Sequence, residues 1–190
     1  MPLAQDKRNT YADILSWPET NERYELFFGE SVLQAAPSPK HQTVLGQLFR
    51  ALSDFLDGKP CRALLSPCDV RLFETAQDTP ETVDTVVQPD LMVICDQDQI
   101  DEHGIHGAPT LVVEILSPTT LRTDRITKFS LYEQAGVPEY WIVDPEKQTV
   151  LVFSLDDGKY HAPIAYGHSG DLSSVVLEGF TVSLDSVFAG

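Results

Sequence analysis

The spacing of apolar residues divides the chain into short helices and strands. Thr10 is a suitable N-cap for a helix that runs to Ser16, and residues 23–36 alternate as a β-hairpin does. A broad apolar stripe at helical spacing then predicts a long helix from about His41 to Asp57. This first third of the chain therefore predicts two helices separated by a hairpin.

The centre of the chain carries three strand-like runs and a second long helix. The predicted strands cover residues 68–73, 88–95 and 110–117, and the last two are joined by an acidic loop that contains Gly and His. A helix capped by Thr123 or Asp124 and ended at Gly136 follows, then a strand at 139–144 and a turn at 156–158. The order α-β-β-β-α-β predicts an α/β or α+β fold. Its mixed β-sheet is flanked by helices, with the hairpin before it, extra strands after it, and a parallel crossover from strand 110–117 to strand 139–144.

Length and composition favour one globular domain over residues 1–190, with its core at about 38–145. The chain has 190 residues, 42% of them hydrophobic, and no run near the roughly 20 apolar residues that span a bilayer. Cys61, Cys68 and Cys95 are odd in number and widely spaced, which favours reduced packing thiols over disulfides or a zinc site. We therefore expect a soluble protein of the cytoplasm that does not enter a membrane.

A glutamate lies in the middle of the most apolar strand. The run "LVVEILSP" surrounds Glu114 with apolar β-formers and ends at Ser117-Pro118, which is typical of an interior strand. A carboxylate there must be paired, protonated or bound to a metal. A structural ion pair is the plain alternative to a metal, although no basic residue lies within the segment.

A second acid, Asp90, opens the preceding strand, where neighbouring strands bring it close to Glu114 at one end of the sheet. Two acids in a low-dielectric site repel each other unless a proton or a cation neutralises them. Mg²⁺ takes oxygen ligands and keeps several waters, one of which can become a nucleophile. We therefore expect Asp90 and Glu114 to bind Mg²⁺ or Mn²⁺, with the Ile115 carbonyl oxygen as a further donor, although Pro-Asp alone is a common turn signal.

The charge of the chain complicates this expectation. The net charge is −16, and residues 74–121 contain ten acidic residues with no Lys or Arg. Nucleic-acid binders usually carry a basic footprint. We expect most of these acids to lie in solvated loops, and the negative electrostatic field of some of them to attract a divalent cation.

Together with the element order, Pro89-Asp90 and residues 114–116 resemble the PD-(D/E)xK nuclease superfamily, which has the restriction-endonuclease-like fold. In that superfamily the Asp and the acidic residue of (D/E)xK bind a divalent metal. The Lys two positions on orients the attacking water or stabilises the charged phosphate. This sequence departs from the pattern because Leu116 stands at the Lys position.

A wider set of segments is similar to a large bacterial family of predicted restriction endonucleases within that superfamily. The segments are "RYELFFGE", "SPKHQTVLGQL", "PDLMVI", "LVVEILSP" and "YEQAGVPEYWIVDP", which span about residues 22 to 145. The resemblance implies that the catalytic Lys comes from the helix after the Glu strand, and Lys128 matches that place. Lys128 shares a helical face with Asp124 and Tyr132. A solvated helix lysine is the alternative.

Two further residues are possible members of the active site. His41, at the start of the long helix, would meet a phosphate there, and a capping or packing role is equally consistent with the sequence. Glu30, after the hairpin Gly, would be a third acid near the metal, although an exposed turn carboxylate is the better expectation.

Other polar residues carry weaker signals. Asp69 points either into the same cleft or away from it. Arg122 and Arg125 are typical of phosphate contacts or surface charges, because Arg does not readily exchange a proton. His103 and His106 have the spacing of a metal pair, but other ligands are missing, so we interpret them as loop residues.

These signals predict a Mg²⁺-dependent endonuclease that cleaves DNA, with Asp90, Glu114 and Lys128 as catalytic residues. A net charge of −16 implies weak DNA affinity for the isolated chain, so a homo-oligomer, such as a dimer, or another protein would supply the basic groove. The alternatives are a non-catalytic module that binds a partner protein and a hydrolase of small phosphate esters.

Overall fold

The computed structural model describes residues 8–18, 22–117 and 124–189, in which helices and strands alternate along the chain. The helices are α1 (Tyr11–Ser16), α2 (Pro39–Leu56), α3 (Phe129–Ala135) and α4 (Leu184–Val187), and a π-helical turn, Asp124–Lys128, leads into α3. The strands are β1 (Arg23–Phe27), β2 (Glu30–Gln34), β3 (Arg62–Leu65), β4 (Val70–Arg71), β5 (Val86–Val87), β6 (Leu91–Ile94), β7 (Ile100–Asp101), β8 (Gly104–His106), β9 (Leu111–Ile115), β10 (Glu139–Asp144), β11 (Thr149–Asp156), β12 (Lys159–Tyr160), β13 (Ile164–Tyr166), β14 (Asp171–Ser173) and β15 (Thr181–Ser183).

The two N-terminal helices form as predicted, with small changes in their bounds. Thr10 caps α1 in a capping box with Asp13, and the helix ends at Ser16. α2 begins two residues earlier than predicted because Ser38 caps it, accepting a hydrogen bond of 3.2 Å from the backbone N–H of His41. This cap fixes the first turn of α2, and with it the place of the His41 side chain.

A mixed sheet with the order β12-β11-β10-β9-β6-β3 forms the centre of the fold. β9 and β10 are parallel, as the predicted crossover requires, and the neighbouring pairs are antiparallel. β13 adds to β11. The predicted mixed sheet flanked by helices is therefore confirmed.

The predicted hairpin is the edge of a second sheet, with the order β2-β1-β5-β4-β8-β7. β1 and β2 join through a two-residue turn in which Phe28 and Gly29 have φ angles of 49° and 85°, as a hairpin of this length favours. Buried residues of this sheet, such as Val70 and Ile105, pack with one face of the mixed sheet. The hairpin therefore reaches the central sheet.

Alternation along the central strands separates two hydrophobic clusters. Val113 of β9 faces α2 and packs with Leu48 and Leu52, whereas Val112 faces the other side, against α3 and the second sheet. Apolar C-terminal residues close the α2 cluster; they are Leu172, Leu177, Phe180, Leu184, Val187 and Phe188.

The structure corrects three local predictions. Only Val70–Arg71 of the predicted strand 68–73 is extended with a strand partner, and β3 was not predicted at all. The acidic loop after β6 contains a short 3₁₀ turn and the hairpin β7–β8, so His106 lies in a strand. These strands have two to four residues, which is too short for a clear alternation pattern.

The cysteine prediction is wrong for two of the three residues. Cys61 and Cys95 form a disulfide across 34 positions. Cys61 precedes β3 and Cys95 follows β6, and the antiparallel register that pairs Arg62 with Ile94 brings them opposite each other. Cys68 is half-buried and unbonded, and burial raises the pKa of its thiol. The cysteines therefore no longer support the expected reducing compartment.

Candidate functional site

Asp90 and Glu114 lie beside each other where β6 and β9 meet. Leu91 is opposite Val113 in the antiparallel ladder, so the same register sets Asp90 opposite Glu114. Asp90 Oδ2 accepts a hydrogen bond of 2.8 Å from the backbone N–H of Ile115. The adjacency predicted from the sequence is therefore present, whereas metal binding by the pair stays a prediction.

His41 joins this pair from α2. Its Nε2 lies 3.1 Å from Asp90 Oδ2, and its side chain is buried. Asp90 is more open, with 21% of its side chain exposed. His41 Nδ1 is buried without a hydrogen-bond partner among the described residues. The imidazole is therefore buried, as a packing role predicted, and it also orients the Asp90 carboxylate, a contact that was not predicted.

Lys128 is buried rather than solvated. Its Nζ lies 2.9 Å from Glu114 Oε1 and 2.8 Å from Glu25 Oε1, with only 3% of the side chain exposed. The π-helical turn before α3 carries Lys128 beside the end of β9, the place that the resemblance implied. Glu114 therefore forms the ion pair that was the alternative to a metal, with a lysine 14 positions away in the sequence. Glu114 also lines the cleft.

Tyr132 lies one helical turn after Lys128 and bonds to the same carboxylate oxygen. Its hydroxyl donates to Glu114 Oε1 over 2.6 Å. Burial, followed by the charges of Glu114 and Glu25, raises the pKa of Tyr132 well above its ordinary range. Tyr132 therefore remains a proton-bearing donor at neutral pH and fixes the orientation of Glu114.

Glu25 of β1 is the site residue that the sequence reasoning missed. It is fully buried, and it accepts hydrogen bonds of 2.7 Å from the backbone N–H of Gln88 and from Gln34 Nε2. The argument applied to Glu114, that a carboxylate in a buried strand needs partners, applies equally to Glu25 in "RYELF". Glu30, named instead, is exposed at the far end of the hairpin from Gln34 and does not line the cleft.

The remaining candidates lie outside this arrangement. Asp69 accepts hydrogen bonds of 2.8 Å from the hydroxyl of Tyr11 and from Gln88 Nε2, in a neighbouring groove. His106 Nε2 bonds to the carbonyl oxygen of Asp98. Arg122 lies outside the described residues, as does the side chain of Arg125.

A cleft of about 40 Å³ opens over Asp90, Glu114, Ile115 and Lys128, and Arg23 lines its rim. Arg23 Nη1 donates to Ser66 Oγ over 2.7 Å. No cluster of three or more His, Cys, Asp or Glu with metal-site geometry occurs in the described part of the chain. The donor set still fits Mg²⁺, which proteins commonly hold through one or two carboxylates while waters and substrate phosphates complete its shell.

Comparison with known proteins gives the family. The model of the Uma2 family, whose description is "Putative restriction endonuclease", matches residues 11–185. This chain belongs to the Uma2 family. An uncharacterised protein of Synechocystis sp., slr1290, is 26% identical to it over 192 residues, covering 100% of this chain and 96% of that protein.

A solved structure has the same fold as this Uma2 protein. A crystal structure from Anabaena variabilis, described as a putative nuclease belonging to DUF820, superimposes with a TM-score of 0.75 at 20% identity. The match covers 95% of this chain and 98% of that one. The restriction-endonuclease-like fold inferred from the sequence is confirmed, and family membership indicates nuclease chemistry. Among the described residues, no helix is both long and apolar enough to cross a bilayer.

Proposed function

We propose that this Uma2 protein is an endonuclease that hydrolyses phosphodiester bonds of DNA with Mg²⁺ or Mn²⁺ bound at Asp90 and Glu114. The observation that carries the proposal is the convergence of Asp90, Glu114 and Lys128 at one cleft. Glu114 Oε1 lies 2.9 Å from Lys128 Nζ, and Asp90 is opposite Glu114 in the strand register. Two acids and one buried lysine are the set that the nuclease resemblance requires.

The charges at the site favour a cation. Glu25 and Glu114 share the ammonium group of Lys128, and Asp90 adds a third carboxylate. Asp90 Oδ2 contacts both His41 Nε2 and the backbone N–H of Ile115. These two contacts orient the carboxylate and do not involve Oδ1. A bound divalent ion would supply a water of lowered pKa and polarise the scissile phosphate.

The protein side chains then have separate tasks. His41 and the Ile115 amide hold the Asp90 carboxylate, and Tyr132 with Lys128 holds Glu114. Lys128 carries a buried positive charge at the border of the cleft, where it would stabilise negative charge that develops on the phosphoryl oxygens. Arg23 at the rim offers a second, more open phosphate contact.

The acidic surface sets a condition on this function. A net charge of −16 opposes a polyanion, so we propose weak DNA affinity for the isolated chain and a basic groove completed by a homo-oligomer or by another protein. The two alternative functions considered from the sequence predict different outcomes. A partner-binding module would not cleave, and a small phosphate-ester hydrolase would cleave nitrophenyl phosphates in preference to DNA.

The test compares wild type with Asp90→Asn, which keeps the shape of the side chain and removes its charge. Calorimetric titration with Mn²⁺ should show binding by the wild type and a loss of at least about tenfold in affinity in the variant. Cleavage of supercoiled plasmid in the same buffer should fall in parallel. Glu30→Gln makes the matching change at an exposed acid that does not line the cleft, so it is the control and should change neither readout.

Two results would contradict the proposal. A folded wild type that binds neither Mn²⁺ nor Mg²⁺ would remove the metal site. Equal cleavage by wild type and Asp90→Asn would show that any nuclease activity resides elsewhere.

A further inference from the structure

A second groove lies beside the candidate active site and is continuous with it. Arg23 and Gln88 line both the cleft over Asp90 and this groove. Ile14, Leu15, Trp17 and Pro18 form one wall, from α1 and the residues after it. The opposite residues are Glu22 and Tyr24 at the start of β1 and Asp69 before β4. A ligand that enters the cleft is thus a direct neighbour of the groove.

An aromatic pair forms one wall of the groove. Trp17 and Tyr24 meet edge to face, with ring centroids 4.9 Å apart and planes at 80°. Both rings are half-buried, and Leu15 beside them is 49% exposed. A partly exposed indole held by a second ring is a rigid platform for a flat aromatic ligand.

The polar groups of the groove favour a base over a phosphate. Glu22 and Asp69 line it as carboxylates, which repel phosphate. Glu22 already accepts a hydrogen bond from the Tyr24 hydroxyl, and Asp69 accepts one each from Tyr11 and Gln88. An aromatic wall, carboxylates that repel phosphate, and Arg23 shared with the cleft match a nucleobase whose phosphate is directed toward the cleft.

We propose that this groove binds an unpaired base of the nucleic-acid strand whose phosphate lies in the cleft, and that Trp17 determines a preference for unpaired strands. The inference rests on the proposed nuclease function and names its substrate class. A paired base has both faces covered by its neighbours in the stack, so only a single-stranded or locally opened region presents a face to Trp17. Stacking on an aromatic side chain tolerates any base, so the groove selects strandedness and not sequence.

The test measures binding of a fluorescently labelled single-stranded oligonucleotide by anisotropy, at low salt with EDTA present so that no divalent ion supports cleavage. Low salt offsets the repulsion by the acidic chain. Trp17→Ala should weaken binding by about 5- to 150-fold, the range for loss of one stacked base. Trp17→Phe keeps an aromatic face and should restore most of the affinity.

Two controls separate the base from the phosphate and the groove from the rest of the surface. A strand of abasic nucleotides has the same phosphates, and it should bind more weakly to wild type and be insensitive to Trp17→Ala. Phe73→Ala removes another aromatic ring, 37% exposed, that lines neither the cleft nor the groove, and it should leave binding unchanged. A duplex of the same sequence should bind more weakly than the single strand.

The outcomes distinguish this inference from the nuclease proposal. Plasmid cleavage by wild type, with base-bearing and abasic strands bound equally, would overturn the groove and leave the nuclease in place. Base-dependent binding through Trp17 without any metal-dependent cleavage would support the groove and overturn the nuclease. Equal affinities of wild type and Trp17→Ala, or no binding of the single strand at all, would overturn the groove.

Discussion

Replacing Lys128 by Met keeps most of the side chain's volume but removes the ammonium group that lies between Glu25 and Glu114. The native trio has two carboxylates and one ammonium, so its net charge is −1. The variant leaves two buried carboxylates with a net charge of −2. Removing one partner of a buried charge pair costs about 3–5 kcal/mol, so we expect the free energy of unfolding to fall by about that amount.

Glu25→Gln is a comparison variant that separates the effect of the buried charge from the loss of a contact. It leaves one carboxylate and one ammonium, a neutral pair, and keeps an oxygen acceptor for the backbone N–H of Gln88. We expect a smaller cost, about 1–3 kcal/mol, from the weakened charge-assisted hydrogen bonds. The difference between the two variants measures the charge of the buried trio and not merely the loss of a contact.

The assay is urea unfolding at neutral pH followed by circular dichroism, with thermal unfolding as a second measurement. For a chain of this size about 1 kcal/mol shifts Tm by about 2–4 °C, so Lys128→Met should lower Tm by about 6–20 °C. Lys159→Met is the matched control, because Lys159 pairs with Glu133 while 76% of its side chain is exposed. Such a surface pair is worth at most about 1 kcal/mol. If Lys128→Met and Lys159→Met were equally stable, the buried trio as described here would be wrong.

Three further measurements test other parts of the structure. Thiol titration of the unfolded protein should count one thiol before reduction and three after it, because Cys61 and Cys95 are bonded to each other. In the folded protein, Cys68 should react slowly with a thiol reagent at pH 8, since its raised pKa lowers the fraction of thiolate. Glu139→Ala should cost about 2–4 kcal/mol in urea unfolding, because its buried carboxylate accepts two backbone N–H groups from the segment after β14. Leu52→Ala should cost about 2–5 kcal/mol with unchanged Mn²⁺ affinity by calorimetry, because Leu52 is fully buried on the α2 side of the sheet, away from the cleft.

The long elements could be predicted because their patterns are unambiguous. α2 spans five turns with one buried stripe, and β9 and β10 are mostly apolar runs bounded by Pro and Gly. The adjacency of Asp90 and Glu114 followed from the same logic, since consecutive strands of a sheet are usually neighbours. The place of Lys128 came from the family resemblance, because a helix lysine alone predicts only a solvated side chain.

The features that were not predicted depend on contacts between residues far apart in the sequence. The Cys61–Cys95 disulfide depends on the register between β3 and β6, and β3 has only four residues with no distinctive pattern. Glu25 enters the site because the hairpin sheet packs beside the end of β9, which local periodicity does not encode. Glu30 is the exposed turn carboxylate that its place after the hairpin Gly favoured, since a turn marks where a chain reverses and not which end of the hairpin reaches the core.

The site lies at the junction of four elements, and this location explains its combination of buried and open charge. Glu25 comes from the hairpin sheet, Asp90 and Glu114 from the central sheet, Lys128 from the turn before α3, and His41 from α2 on the opposite face. Buried ion pairs are weak sources of stability, because desolvation offsets most of their attraction. A junction that buries Glu25 and Lys128 while Asp90 reaches solvent is therefore poorly explained by folding alone. It is better explained by the proposed function, in which Glu25 and Lys128 fix Glu114, Lys128 also borders the cleft, and Asp90 faces the substrate.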